Sequence, residues 1–140
     1  MSRGPMELTV VEFPGEVPGD QLAPELRRLV EADVIRIVDL VFIEKDAEGG
    51  VSIFELRDRE GDDAYEAFDE LVYAVEGLIA DEDLGEIAAD VDAGNIAAVL
   101  LVEHIWAAKL AEITRSAGGE VVWTERIPAA VVEAIAAVPA

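Results

Sequence analysis

"VIRIVDLVFIEKDAEGGVSIFELRD", Val34–Asp58, carries the strongest fold signal in the chain. Two runs rich in Val, Ile and Phe flank "AEGG", Ala47–Gly50. Paired glycines between two such runs mark a turn, so the stretch reads as an antiparallel β-hairpin. The first run, Val34 to about Lys45, does not alternate apolar with polar residues. On a regular strand Ile35, Ile37, Val41 and Ile43 point one way, and Val34, Val38, Leu40 and Phe42 the other. A sheet with one wet face shows alternation; this strand needs cover on both. Ile96–Val102 repeats the pattern. Leaving such a face in water, at about 25 cal/mol per Å², costs several kcal/mol. The C-terminal helix is too short to hide a whole face. Ile35, Ile37, Val41 and Ile43 are therefore expected to pack on another subunit, making the protein a homo-oligomer.

Working outward, Glu7–Phe13 reads as a first strand and "PGEVPGD" as its break. Asp20 is placed to cap a helix through about Ala32, with Pro24 in its first turn and Leu22, Leu26, Leu29 and Val30 as its stripe. After the hairpin, Asp62 or Asp63 opens a helix in which Ala64, Phe68, Leu71, Val72, Val75 and Leu78 recur at helical spacing. Asp83 and Glu86 suggest a capping box for a short helix with Leu84, Ile87 and Val91 inward. A strand over Ile96–Glu103 leads into a helix with Trp106, Leu110, Ile113 and Ala117 on one face, ended by Gly118. "EVVWTE" reads as a last strand, and Pro128 starts an Ala-rich helix with Val131, Ile135 and Val138 inward. The order predicts one α+β domain over residues 1–140: a ferredoxin-like split βαβ sheet extended by a helix, a strand and a C-terminal helix.

Composition bounds the function. With 140 residues, 52% of them hydrophobic, the chain suits one domain with a real core. The formal net charge is -21, from 31 acidic against 10 basic residues. Nucleic-acid binding starts from a basic footprint, and Arg27, Arg28, Arg57 and Arg59 are only islands among acids. An anionic membrane surface is disfavoured on the same ground. No run is long enough to span a bilayer. Without cysteine there is no disulfide, thiolate metal site or thiol catalysis. "MSRGPMEL" has no apolar signal core, so the expected location is cytoplasmic.

Few residues suggest chemistry. His104 is the only histidine, and Ser and Thr residues lie outside any nucleophile-elbow context. Trp106 could line a ligand pocket, but on an apolar helical face it reads as a core anchor. Tyr73 could edge a site. Asp39 interrupts an apolar strand, and a buried carboxylate there must be paired or protonated, with Arg36 or Arg57 across the hairpin, or a subunit interface, as the candidate surroundings. "DVDAGN" departs from a calcium loop, with Gly94 at position five and Leu101 where the bidentate acid belongs. "PGEVPGDQ" has neither G-x-G-x-x-G nor a phosphate-binding Lys. No catalytic residue, cofactor site or metal site is assigned.

"VVEFPG", "APELRRLVEADVIRIVDLVFIEKD", "IAAVLLVEHIWAAKL", "AGGEV" and "RIPAAVVEA" together resemble a family of small uncharacterised, mainly actinobacterial proteins. That family is similar to a broader bacterial group labelled as membrane proteins of unknown function. The broader group often carries a Gly/Ala-rich apolar hairpin between the third and fourth strands. Here that region carries Glu66, Asp69, Glu70, Glu76 and Asp81. The resemblance implies the α+β fold and supplies no catalytic set. The sequence thus favours a non-enzymatic, self-associating interaction, assembly or regulatory module. The alternative is a ligand-binding or cofactor-free catalytic pocket between sheet and helices, using Asp39, Tyr73, His104 and Trp106.

Overall fold

A computed structural model of the chain describes residues 3–73 and 78–137. They divide into two compact units, Met1–Lys109 and Leu110–Ala140. The first holds an antiparallel sheet of four strands: β1 (Met6–Pro14), β2 (Ile35–Lys45), β3 (Val51–Glu55) and β4 (Asn95–His104), in the order β1-β4-β2-β3. Helix α1 (Gly19–Glu31) connects β1 to β2, and β4 runs antiparallel between them. This is the split βαβ arrangement of a ferredoxin-like α+β fold.

The hairpin closes as expected. Asp46 accepts bonds from the amides of Glu48 and Gly50, and Gly49 takes the left-handed conformation at φ 89°. Helix α1 begins at Gly19 with Pro18 in the cap position, two residues before the expected cap Asp20, which lies inside the first turn without capping it. Its end turns at Asp33, φ 57°, where Val34 N donates to Leu29 O.

Both sheet faces are covered, as the missing alternation requires, but the cover of the second comes from the same chain. On the first face Phe42, Ile37, Leu40, Ala98 and Leu100 pack with Ala23 of α1 and with Tyr65, Phe68 and Leu71. On the second, Val41, Ile43, Ala97 and Val99 pack against Leu84 and Ala88 of α3 (Asp81–Asp90) and against Ile79 and Val91. Ile35, Ile37, Val41 and Ile43 therefore do not form one subunit-facing row. All four are buried within the chain, the first pair on one face and the second pair on the other. The cause is an irregularity between Ile37 and Asp39, which face Val102 and Leu101 on β4: one extra residue, Val38, flips the side-chain phase.

The periodic stretch after the hairpin also folds differently. Asp62 does cap α2 (Asp63–Glu66), accepting from Ala64 N at 3.1 Å. The helix then tightens: Phe68 N bonds Tyr65 O and Leu71 N bonds Phe68 O, three-residue spacings rather than four. Val72 pairs with Ile37 as a bridge, and Tyr73 N donates to Ile37 O at 2.8 Å. Val75, counted in the helical stripe, lies outside the described residues. Helix α3 starts after Ala80, so Asp83 and Glu86 are interior rather than a capping box.

Helix α4 (Ile105–Ser116) ends at Gly118, φ 85°, with Gly119 N bonding Thr114 O, as the glycine predicted. Residues 120–128 contain no strand. "EVVWTE" has the composition of one, but a strand exists only as a hydrogen-bonded neighbour of another, and these residues make no ladder. Helix α5 (Ala129–Ala136) starts on Pro128 as expected, yet Val131 and Ile135 are exposed rather than inward; Val138 lies outside the described residues.

Candidate functional site

The end of β4 concentrates the polar chemistry of the sheet. Glu103 and His104 are neighbours on a strand, so their side chains leave on opposite faces. Glu103 is buried; its carboxylate accepts from Gly4 N at 2.8 Å and lies 3.5 Å from Arg36 Nη1. The strand register explains the pairing, since Glu103 sits opposite Met6 on β1 and Arg36 on β2. The Arg36 guanidinium in turn lies over the Tyr73 ring, 5.1 Å from its centre.

On the other face His104 joins two partners. Trp106 Nε1 donates to His104 Nδ1 at 3.3 Å, and His104 Nε2 lies 3.3 Å from Glu7 Oε1. A ring nitrogen that accepts from an indole N–H carries no proton of its own. The proton therefore sits on Nε2 and faces the Glu7 carboxylate. Both ring nitrogens are committed to these contacts, which is the pattern of a positioned structural histidine. A general base would need a nitrogen aimed at a proton to abstract.

Trp106 is not the core anchor its helical position suggested: it is half exposed, and the small Ala108 is the residue of α4 that is buried. What fixes the helix start is backbone. The amides of Ile105 and Trp106 both reach Val34 O, at 3.0 and 3.3 Å. A tight approach on the β1 side adds to this, because a Cβ on Gly4 would sit 2.1 Å from His104 O.

Asp39 lies elsewhere. It is buried, its Oδ1 accepts from Leu40 N at 2.9 Å, and it lines a cavity of about 230 Å³ with Arg57, Asp58, Asp81, Ile79 and Leu84. Arg36 is not its partner; the register gives Arg36 to Glu103. A second cavity, of about 260 Å³, is lined by Glu16, Glu44, Arg59, Asp62 and Tyr65. There Arg59 lies over Phe54 at 4.0 Å and 3.9 Å from Glu44, and burial pushes the Tyr65 hydroxyl above its usual range.

The four residues singled out from the sequence thus occupy three places: His104 with Trp106, Tyr73 on Arg36, and Asp39 in its own cavity. They do not converge on one pocket. Glu7, Arg36 and Glu103 were missed as partners. The signal for them is the β1-β4-β2 register, which a sequence does not display. Among the described residues no group of three His, Asp or Glu side chains is placed to hold a metal ion. No helix there is long and apolar enough to cross a membrane.

Fold and site together define an α+β domain with a ferredoxin-like sheet and no assembled catalytic constellation among the described residues. Residues 2–138 match a family of unknown function, DUF6325, and the chain belongs to that family. No curated protein and no solved structure matches it.

Proposed function

We propose that the chain is a non-enzymatic interaction module that self-associates, serving assembly or regulation. The observation that carries this reading is the C-terminal unit. Trp123 is 79% exposed and Ile113 69%, and Val121, Val122, Ile127, Val131, Val132 and Ile135 are exposed as well. Helix α5 has a single charged residue, Glu133, in eight. An isolated helix of that length is marginal in water, and a helix apolar on all sides belongs in a buried setting. Apolar side chains left in water over several hundred Å² mark an interaction surface. The charge of -21 disfavours an anionic lipid surface as the cover, leaving a protein surface, and a second copy is always at hand. Native mass spectrometry tests this. The intact chain is expected as more than one copy, and replacing Trp123 with Ser together with Ile135 with Asp is expected to lower the copy number. An unchanged copy number would refute the reading.

A small-ligand role has one observation in its favour, the buried Asp39 at the wall of a cavity. A buried carboxylate suits a small cationic or hydroxylated molecule. The same spectra test it: a stoichiometric mass adduct lost in Asp39→Asn would support that role.

A further inference from the structure

The two edges of the sheet differ. β3 is five residues long and runs directly into a 3-10 turn, Leu56–Arg59. β1 is nine residues long and pairs with β4 without a register shift, and among the described residues no strand lies on its other side. Of the devices that blunt edge strands, β1 has no bulge, no Lys, and Pro only at its last residue; its charges are the acids Glu7 and Glu12.

The phase of its hydrogen bonds can be read. His104 N donates to Pro5 O, and Gly15 N donates to Gly94 O. In an antiparallel pair the residues that bond one neighbour alternate with those that do not. Odd-numbered residues of β1 therefore bond β4, and the N–H and C=O of Met6, Leu8, Val10 and Glu12 aim at the open edge. The side chains of Met6, Leu8 and Val10 share one face and are 40%, 39% and 42% exposed.

We propose that two copies of the chain join along β1, antiparallel, with a two-fold axis at Leu8, extending the sheet across both. The register follows from the side chains. Centred on Leu8, Leu8 faces the second copy's Leu8, and Met6 faces the second copy's Val10. Glu7 then faces Thr9, and Glu12 faces Gly4, so no two carboxylates meet. Centred on Thr9, Met6 would face Glu12. Centred on Val10, Leu8 would face Glu12. Centred on Glu7, two carboxylates would oppose each other, which is destabilising in a cross-strand pair. A centre at Met6 would leave Leu8 opposite Gly4. Only the Leu8 register sets Met6, Leu8 and Val10 each against another apolar residue and the acids against uncharged residues. It is also the register in which the outward amides of Leu8 meet as a bonded pair. The occupant is thus identified by self-complementarity. Two chains of charge -21 repel each other, so salt is expected to tighten the pairing.

This inference does not rest on the C-terminal unit. Amide hydrogen exchange on the intact chain at several concentrations tests it. In concentrated protein the Leu8 and Val10 amides are expected to exchange at least ~100-fold more slowly than in dilute protein, while Thr9 and Val11 stay protected throughout. Val10→Pro removes one outward donor and no bond to β4, so it should abolish the concentration dependence at Leu8 and spare Thr9. Val10→Lys should act alike if the proline perturbs folding. The variant carrying Trp123→Ser and Ile135→Asp should keep the effect, separating the edge from the arm. Fast exchange at Leu8 and Val10 at every concentration would overturn the proposal. So would protection independent of concentration, which would mean that the chain covers its own edge.

Discussion

Ile96–Val102 and Ala129–Ala136 are both strongly apolar stretches, and they meet opposite fates. The first is the core of β4, with Ala97, Ala98 and Val99 completely buried between two layers of side chains. The second is α5, with Val131, Val132 and Ile135 exposed. Hydrophobicity alone does not separate them. β4 has strands on both sides to satisfy its backbone and elements on both faces to cover its side chains. An apolar segment becomes core only where other elements of the chain supply such cover.

The contrast predicts very different sensitivities in the two units. Phe42 is fully buried against Phe54, Tyr65 and Phe68, with ring centres 5.4, 5.0 and 6.1 Å away. Phe42→Ala is expected to cost about 3–5 kcal/mol in denaturant unfolding. A loss below about 1 kcal/mol would break the view of this region as the stability centre. Next comes the approach of α1 to α2. A Cβ on Gly19 would lie 2.2 Å from the backbone oxygen of Ala64. Gly19→Ala should therefore destabilise by about 1–3 kcal/mol, although Ala is the better helix former.

Tyr65 gives a smaller, pH-dependent effect. Burial raises its pKa in the folded protein. The folded chain thus holds the phenol proton where the unfolded chain has begun to lose it. The stability linked to Tyr65 is full below about pH 10 and falls as pH rises toward its folded pKa. Melting between neutral and alkaline pH should show this loss, and Tyr65→Phe should reduce it. An unchanged pH profile in Tyr65→Phe would show that the hydroxyl is not the titrating group. At the small end stands Trp123→Ser: removing an exposed side chain should change unfolding free energy by no more than about 0.5 kcal/mol.

How much of this was legible in the sequence depended on what fixed each feature. The hairpin, four strands, the cap at Asp62 and the stop at Gly118 are local, and their residues announce them. The phase of β2 was hidden, because an apolar run with Val38 inserted looks the same as one without it. Strand composition in "EVVWTE" promised a ladder that only a neighbouring strand could supply. Period alone could not distinguish a long helix at 64–78 from tight turns ending in a bridge to Ile37. At the β4–α4 corner, His104 stands out in the sequence as its only histidine. Glu7 and Trp106, which set its tautomer, come within reach only through tertiary register.

On the proposed function, the exposed apolar C-terminal unit serves association rather than stability. Sedimentation velocity of the intact chain beside the variant carrying Trp123→Ser and Ile135→Asp, with melting followed on the same samples, tests it most directly. The wild type is expected to sediment as more than one copy, and the variant as fewer while melting at nearly the same temperature. Both proteins sedimenting as single copies at every concentration, or a variant that loses its fold rather than its partner, would contradict it.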